Sequence, residues 1–292
     1  MLGFLGPNGA GKTTAIRVLT TILEPTAGRF VVDGVGSEHP DQIRRKIGVL
    51  PEGLGFPQHS TGLEYLTYYG QLYGRRSEDA RRIGLGLLDD VGLQKRADAL
   101  VGTYSHGMRQ RLGIARSLVN DPRVVFLDEP TLGLDPRGQQ ELLALVQRIA
   151  RERNAGVVLS SHLLSEIEGI CDDVVIMNDG QVVAKGTVAE VIGRFTLGGA
   201  EANVVRVRVP ISSVASAVAI LEAVPGIRRA DSDSTGWLVV ESGDDPGAPA
   251  DDLARNGLLD ALIRAEIPIL GFEAAGGRLQ DVFLQLTAET IE

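Results

Sequence analysis

The sequence predicts an α/β core over residues 1–195, followed by a smaller α+β module over residues 200–292. Three observations carry this. Uninterrupted apolar runs at residues 1–5, 47–50, 124–127 and 157–159 read as strands buried on both faces. Segments with apolar residues at helical spacing separate them, the alternation that builds a largely parallel sheet. At Leu197-Gly198-Gly199-Ala200 the rhythm changes, and the strands beyond mix valine with arginine, so that one face is wet.

The first element is the run Met1 to Leu5, a short buried strand. It leads into Gly6, Pro7, Asn8, Gly9, Ala10, Gly11, Lys12, Thr13 and Thr14, which fit the phosphate-loop pattern G-x-x-x-x-G-K-[ST]. Glycines let the backbone turn tightly with no Cβ in the way of a phosphate. Successive N–H groups then face inward as an anion nest, and a helix starting near Lys12 adds its positive end. Lys12 can reach the β- and γ-phosphates of a nucleotide, and the Thr13 hydroxyl can ligate Mg²⁺. The helix is expected to run to Leu23 with Ile16, Leu19, Ile22 and Leu23 on one face.

Phe30 to Gly34 reads as a strand and turn, and Ile47 to Leu50 as a buried strand that stops at Pro51. Residues 60–120 read as a helical subdomain, in which Tyr65, Tyr68, Tyr69 and Tyr73 suit packing better than a ligand platform. Ser105 stands where an N-cap would stand, before a helix from Arg109 to Leu118; taken alone that is an ordinary capped helix. Val124 to Leu127 ends in Asp128 and Glu129. Two carboxylates closing a buried strand need partners, because unpaired buried charge is costly. A magnesium ion on Asp128 and a polarised water on Glu129 supply them, the arrangement called Walker B. Gln139 to Arg153 is an amphipathic helix with Leu142, Leu145, Val146 and Ile149 inward. Val157 to Ser161 is a strand ending at His162, which can reach a γ-phosphate from the same sheet. Asn178-Asp179-Gly180 signals a hairpin, and residues 187–195 a last short helix. The tail then reads β-α-β-β-α-β with a final helix, the ferredoxin-like order, with its last strand at residues 267–272. No motif in it carries chemistry.

Composition sets limits. The formal net charge of −9 argues against broad binding to nucleic-acid backbones. Cys171 is the sole cysteine of the chain, so an internal disulfide and a thiolate metal site are excluded. No stretch approaches the apolar length of a membrane span.

Together these residues resemble the ATP-binding subunit of ABC transporters. Residues 6–13 are similar to its Walker A, 51–53 to its Q-loop, 104–108 to its signature, 124–129 to its Walker B, 134–135 to its D-loop and His162 to its switch histidine. The resemblance implies an ATPase with ATP and Mg²⁺ as cofactors. Glu129 and His162 would be catalytic, and Thr13, Asp128 and Glu52 would attend the metal. It also implies a second ATP-binding subunit packed head to tail, with Ser105, His106, Gly107 and Met108 meeting the partner's γ-phosphate and Asp135 in the D-loop. A separate transmembrane permease subunit would be the other partner, at the cytoplasmic face of the membrane, with no nucleic acid.

Three positions depart from the family pattern. Glu52 stands for the usual glutamine, His106 for a glycine and Met108 for a glutamine. The Pro-Glu-Gly loop, this signature and the tail from Leu279 to Leu284 are similar to type-2 exporters of drugs, lipids or sodium. Two other readings are a non-transport ABC ATPase acting on nucleic acid or the ribosome, and a silent binding module. The first lacks its expected insertions, and intact Lys12, Glu129 and His162 oppose the second. Members of the family begin with antiparallel strands and an aromatic that stacks on adenine. Here Gly6 follows Met1 closely, so those strands are expected to be missing, from a fragment or a misassigned start, and the strand at Phe30 to lack partners.

Overall fold

A computed structural model describes the chain except residues 54, 162, 199–203, 234, 243–250, 275–278 and 289–292. The backbone divides into two compact units, Met1–Val188 and Ala189–Glu292.

In chain order the first unit runs β1 (Leu2–Leu5), α1 (Lys12–Leu19), β2 (Val31–Val32), β3 (Val35–Gly36), α2 (Pro40–Lys46) and β4 (Ile47–Leu50). Helices α3 (Gly62–Leu72), α4 (Ser77–Asp90) and α5 (His106–Ser117) follow, then β5 (Val124–Asp128), α6 (Pro136–Arg153), β6 (Gly156–Ser161), α7 (Leu164–Ile170), β7 (Asp173–Asn178) and β8 (Gln181–Thr187). The sheet order is β4-β5-β6-β1-β7-β8, parallel except for the β7–β8 hairpin. This is a mixed α/β sheet, with the helical insertion α3 to α5 between β4 and β5. β6 lies between β5 and β1, so the C-terminal ends of these three strands meet at one edge, where α/β sheets bind ligands. Phe4, Ile16, Ile43, Ile47, Phe126 and Met177 pack the core.

Local chemistry sets the element boundaries. Thr61 and Glu64 form a reciprocal capping box that starts α3, with N–H to oxygen distances of 3.1 and 2.8 Å. Asp135 caps α6, accepting from the Gly138 N–H at 2.8 Å, ahead of Pro136 in the first turn; Asn154 closes the helix in the left-handed region. At the β7–β8 turn Asp179 and Gly180 both have positive φ (47° and 77°), the tight turn that the Asn-Asp-Gly sequence predicts.

Four expectations are corrected in this unit. α1 stops at Leu19, because Thr20 turns its hydroxyl back onto the Ile16 carbonyl at 2.7 Å and Thr21 adopts φ 62°. Ile22 and Leu23 are therefore exposed rather than on a buried face. The strand at Phe30 does not lack a partner: β2 pairs with β3 across the Asp33-Gly34 turn. The packing reading of the tyrosines holds for Tyr65, which is buried, but Tyr68 and Tyr73 are 57% and 44% exposed. Burial pushes the Tyr65 hydroxyl up to about 12.

Helix α8 (Val188–Gly198), all but its first residue in the second unit, runs past Phe195, so Leu197 and Gly198 are helical rather than linker; residues 199 and 200 lie outside the described residues. The unit continues β9 (Val204–Arg208), α9 (Val214–Glu222), β10 (Ile227–Ser232), β11 (Trp237–Ser242), α10 (Asp251–Arg264), β12 (Gly271–Ala274) and α11 (Leu279–Ala288). The strands form one antiparallel sheet in the order β10-β11-β9-β12, and β9 to β12 follow the predicted β-α-β-β-α-β sequence. Val205, Val207, Leu221, Leu238 and Leu262 are core. β12 starts at Gly271 rather than Ile267. Pro268 has no N–H to give a ladder, and contact with β9 opens with the Leu270 N–H donating to the Arg208 carbonyl at 2.7 Å.

Candidate active site

The loop after β1 is shaped from behind. A Cβ on Gly6 would lie 2.5 Å from the Met177 carbonyl oxygen, so only glycine fits. Gly9 and Gly11 have φ of 86° and 97° and lift the backbone over the start of α1. The Gly180 N–H donates to the Ala10 carbonyl at 3.1 Å and braces the loop against the β7–β8 turn. Gly11 gives α1 no side-chain cap, so the first-turn N–H groups are left for an anion.

Lys12 is buried at the base of this loop. Its ammonium donates to the Gly6 and Pro7 carbonyls at 2.7 and 3.2 Å, and lies 3.9 Å from Glu129 Oε1. The Thr13 hydroxyl donates to Asp128 Oδ1 at 3.2 Å. A cleft of about 470 Å³ is lined by residues 8–14, Glu52, Glu129 and Leu132. The structure thus brings the phosphate loop, the carboxylates that end β5 and the Pro51-Glu52-Gly53 loop together.

Glu129 has φ 47°, rare for a non-glycine residue. Its N–H donates to Ser160 Oγ at 2.9 Å, and Ser160 donates in turn to Asp128 Oδ1 at 2.6 Å. On the opposite face of β6, Ser161 and Thr131 both donate to Glu166 Oε2, at 2.7 and 3.0 Å. Glu166 Oε1 is buried without a hydrogen-bond partner. The sequence reading did not single out Ser160, Ser161, Thr131 or Glu166. The signal was available for the two serines: consecutive hydroxyls closing an apolar strand pose the same question as Asp128-Glu129.

The signature residues stand apart from the cleft at the start of α5. Ser105 is the N-cap and accepts from the Met108 N–H at 3.3 Å. His106 lines an adjoining cavity of about 280 Å³ that shares Glu52, Glu129 and Leu132 with the cleft. Its Nε2 donates to the Leu132 carbonyl at 2.8 Å, which puts the ring proton on Nε2. Gly107 and Met108 do not line the cleft. His162 lies outside the described residues.

Thr13 and Asp128 offer two hard oxygens of the kind that suits magnesium. Among the described residues no group of three or more His, Cys, Asp or Glu could hold a metal.

The family model described as ABC transporter matches residues 1–132. The daunorubicin/doxorubicin resistance ATP-binding protein DrrA of Streptomyces peucetius is 38% identical over 291 residues, covering 98% of this chain and 83% of that protein. This chain belongs to the ATP-binding subunits of ABC transporters. The bacitracin transport ATP-binding protein BcrA of Bacillus licheniformis is 43% identical over 182 residues, 62% of this chain and 58% of that one. A solved structure titled as the ATP binding subunit of an ABC transporter superposes with a TM-score of 0.58 at 32% identity, over 68% of this chain and 83% of that chain.

As an ABC subunit the chain binds ATP, is an ATPase and drives a transporter. Subunits of this kind dimerise and work with a transmembrane partner. No described helix of this one is long and apolar enough to cross a membrane.

Proposed function

We propose that this ABC subunit powers an exporter of drugs, lipids or ions, through ATP-driven closure of a dimer against a separate transmembrane permease. The drug-resistance and antibiotic-transport names of its relatives support the cargo class. The observation that carries the hydrolytic role is a buried carboxylate, Glu129, 3.9 Å from the phosphate-loop cation Lys12.

The residues take the following roles. Lys12 and the N–H groups of residues 8–14 hold the phosphates. Thr13 and Asp128 hold Mg²⁺, with Glu52 as a further oxygen donor on the other wall of the cleft. Magnesium, when bound, neutralises charge on the transferred phosphoryl group. Glu129 orients and deprotonates the attacking water, and His162 contacts the γ-phosphate. Ser105 to Met108 present the N-terminal end of α5 to a nucleotide on the second subunit, in a homodimer related by a two-fold axis. Residues 200–292 form an accessory domain for dimerisation or docking and take no part in hydrolysis. The subunit sits peripherally at the cytoplasmic face of the membrane and has no nucleic-acid partner.

The test is Glu129→Gln. Steady-state turnover should vanish while ATP binding remains, and a closed dimer should accumulate in size-exclusion chromatography with ATP. Wild-type turnover in this variant would remove Glu129 from the role of base.

A further inference from the structure

We propose that Ser160 is a positioning residue for hydrolysis, whose single hydroxyl fixes Asp128 and Glu129 relative to each other. The inference rests on the roles proposed above for those two carboxylates.

The sheet register places it. Ser160 pairs directly with Asp128 between the parallel strands β5 and β6. Side chains alternate along strands, so residues in register share a face. The hydroxyl donates to Asp128 Oδ1 at 2.6 Å and accepts from the Glu129 N–H at 2.9 Å. One oxygen therefore contacts both consecutive residues, once as donor and once as acceptor. A serine or threonine can do this; alanine and valine cannot.

Two features give the contact weight. Thr13 also donates to Asp128 Oδ1, but at 3.2 Å, so the shorter bond to that oxygen is from Ser160. Glu129 holds a left-handed backbone at φ 47°, and such conformations persist where the surroundings over-determine them. The bond from its N–H to Ser160 is one such restraint. It fixes the direction in which the Glu129 side chain leaves toward Lys12, 3.9 Å away. Ser160 is fully buried, so bulk water does not take over either bond when the hydroxyl is removed. Asp128 then loses its shorter donor, the Glu129 N–H loses its acceptor, and misplacement of a catalytic group by ~1 Å can cost a hundredfold in rate.

The experiment compares full-length wild type, Ser160→Ala, Ser160→Thr, Ser160→Cys and Glu129→Gln. It measures kcat and KM for ATP, affinity for a fluorescent ATP analogue in EDTA, and thermal unfolding. In Ser160→Ala we expect kcat to fall roughly ten- to a hundredfold with KM changed by less than about threefold, the pattern of an interaction needed in the transition state. Affinity in EDTA should hold within about twofold, because the phosphate loop and Lys12 are untouched. Ser160→Thr, which keeps the hydroxyl, should recover most of the turnover.

A merely structural serine would lower the melting temperature and leave kcat per folded molecule unchanged, and that result overturns the proposal. So does a folded Ser160→Thr with no recovery. If Ser160→Ala does not fold, Ser160→Cys decides: a weak donor of similar size should lose kcat while folded, and wild-type kcat there sinks the idea. Glu129→Gln separates the two levels. If it is inactive while Ser160→Ala is normal, only the positioning role fails. If Glu129→Gln is active, the site reading fails and the inference with it.

Discussion

The two units spend their polar residues in opposite ways. In the first, Lys12 at the start of α1, Asp128, Glu129, Ser160 and Ser161 at strand ends, and Glu166 in α7 are buried. In the second, the core cluster is wholly apolar; of the β9 arginines Arg208 is exposed and Arg206 half-buried, their guanidiniums 6.0 and 5.4 Å from the Trp237 ring. Both are sheets with helices packed on them, so burial of apolar surface accounts for either fold. In the first, the buried Asp128 and Glu129 are bonded to Ser160 of the neighbouring strand; in the second, the Nε of half-buried Arg206 is enclosed without a hydrogen-bond partner. The two units thus differ in how much polar surface they bury and in how that surface is bonded.

Breaking the apolar core of the second unit should give the largest effect on stability. Leu221→Ala removes a fully buried side chain of α9 and should cost about 2–5 kcal/mol in chemical denaturation. ATP turnover per folded molecule should not change. A fall in kcat in the folded variant would mean that the second unit enters the reaction after all.

Lys12→Ala is the reciprocal experiment. Bonds to charged groups are worth about 1.5–3 kcal/mol, so ATP affinity should weaken roughly ten- to 150-fold by equilibrium binding. Stability of the second unit, read by hydrogen exchange in β9 to β11, should stay as it is. Retained affinity would move the phosphates away from this loop.

The mildest distinction is in pH. Burial pushes the Cys171 thiol up to about 12 and the Tyr65 hydroxyl likewise, both in the first unit. For a folded-state pKa that is raised, the contribution to stability is complete below the ordinary values of 9.0 and 10.0 and is lost as pH climbs toward 12. In the second unit Asp233 is shifted the other way, downward, by bonds from the Thr235 hydroxyl and backbone. Urea unfolding followed from pH 8 to pH 11 should therefore weaken the first unit. Tyr65→Phe should flatten part of the slope, and an unchanged slope would place the alkaline sensitivity elsewhere.

What the sequence made legible was local. The phosphate loop announces itself because glycine spacing, Lys12 and Thr13 lie within a few consecutive residues. The strand ending in Asp128-Glu129 stands out because polar groups close an apolar run; Ser160 and Ser161 close β6 in the same way but gain their meaning from the partners that the fold supplies. The turn at Asp179-Gly180 follows from residue types alone. What was not legible depended on partners distant in the chain. Glu166 meets Thr131, 35 residues away, only once β5 and β6 are side by side. The end of α1 at Leu19 is decided by Thr20 and Thr21 against an apolar pattern that runs on to Leu23. Tyr68 on α3 and Tyr73 just past its end stand in a tyrosine-rich stretch that reads as packing, yet both are exposed.

The hydrogen bond from Gly180 to Ala10 ties the phosphate loop to the turn at the antiparallel edge of the sheet, so the back of the nucleotide cleft is held by backbone far along the chain. Were substitutions in the turn to change nucleotide affinity, thermodynamic reciprocity would require nucleotide to change the turn's stability by the same factor.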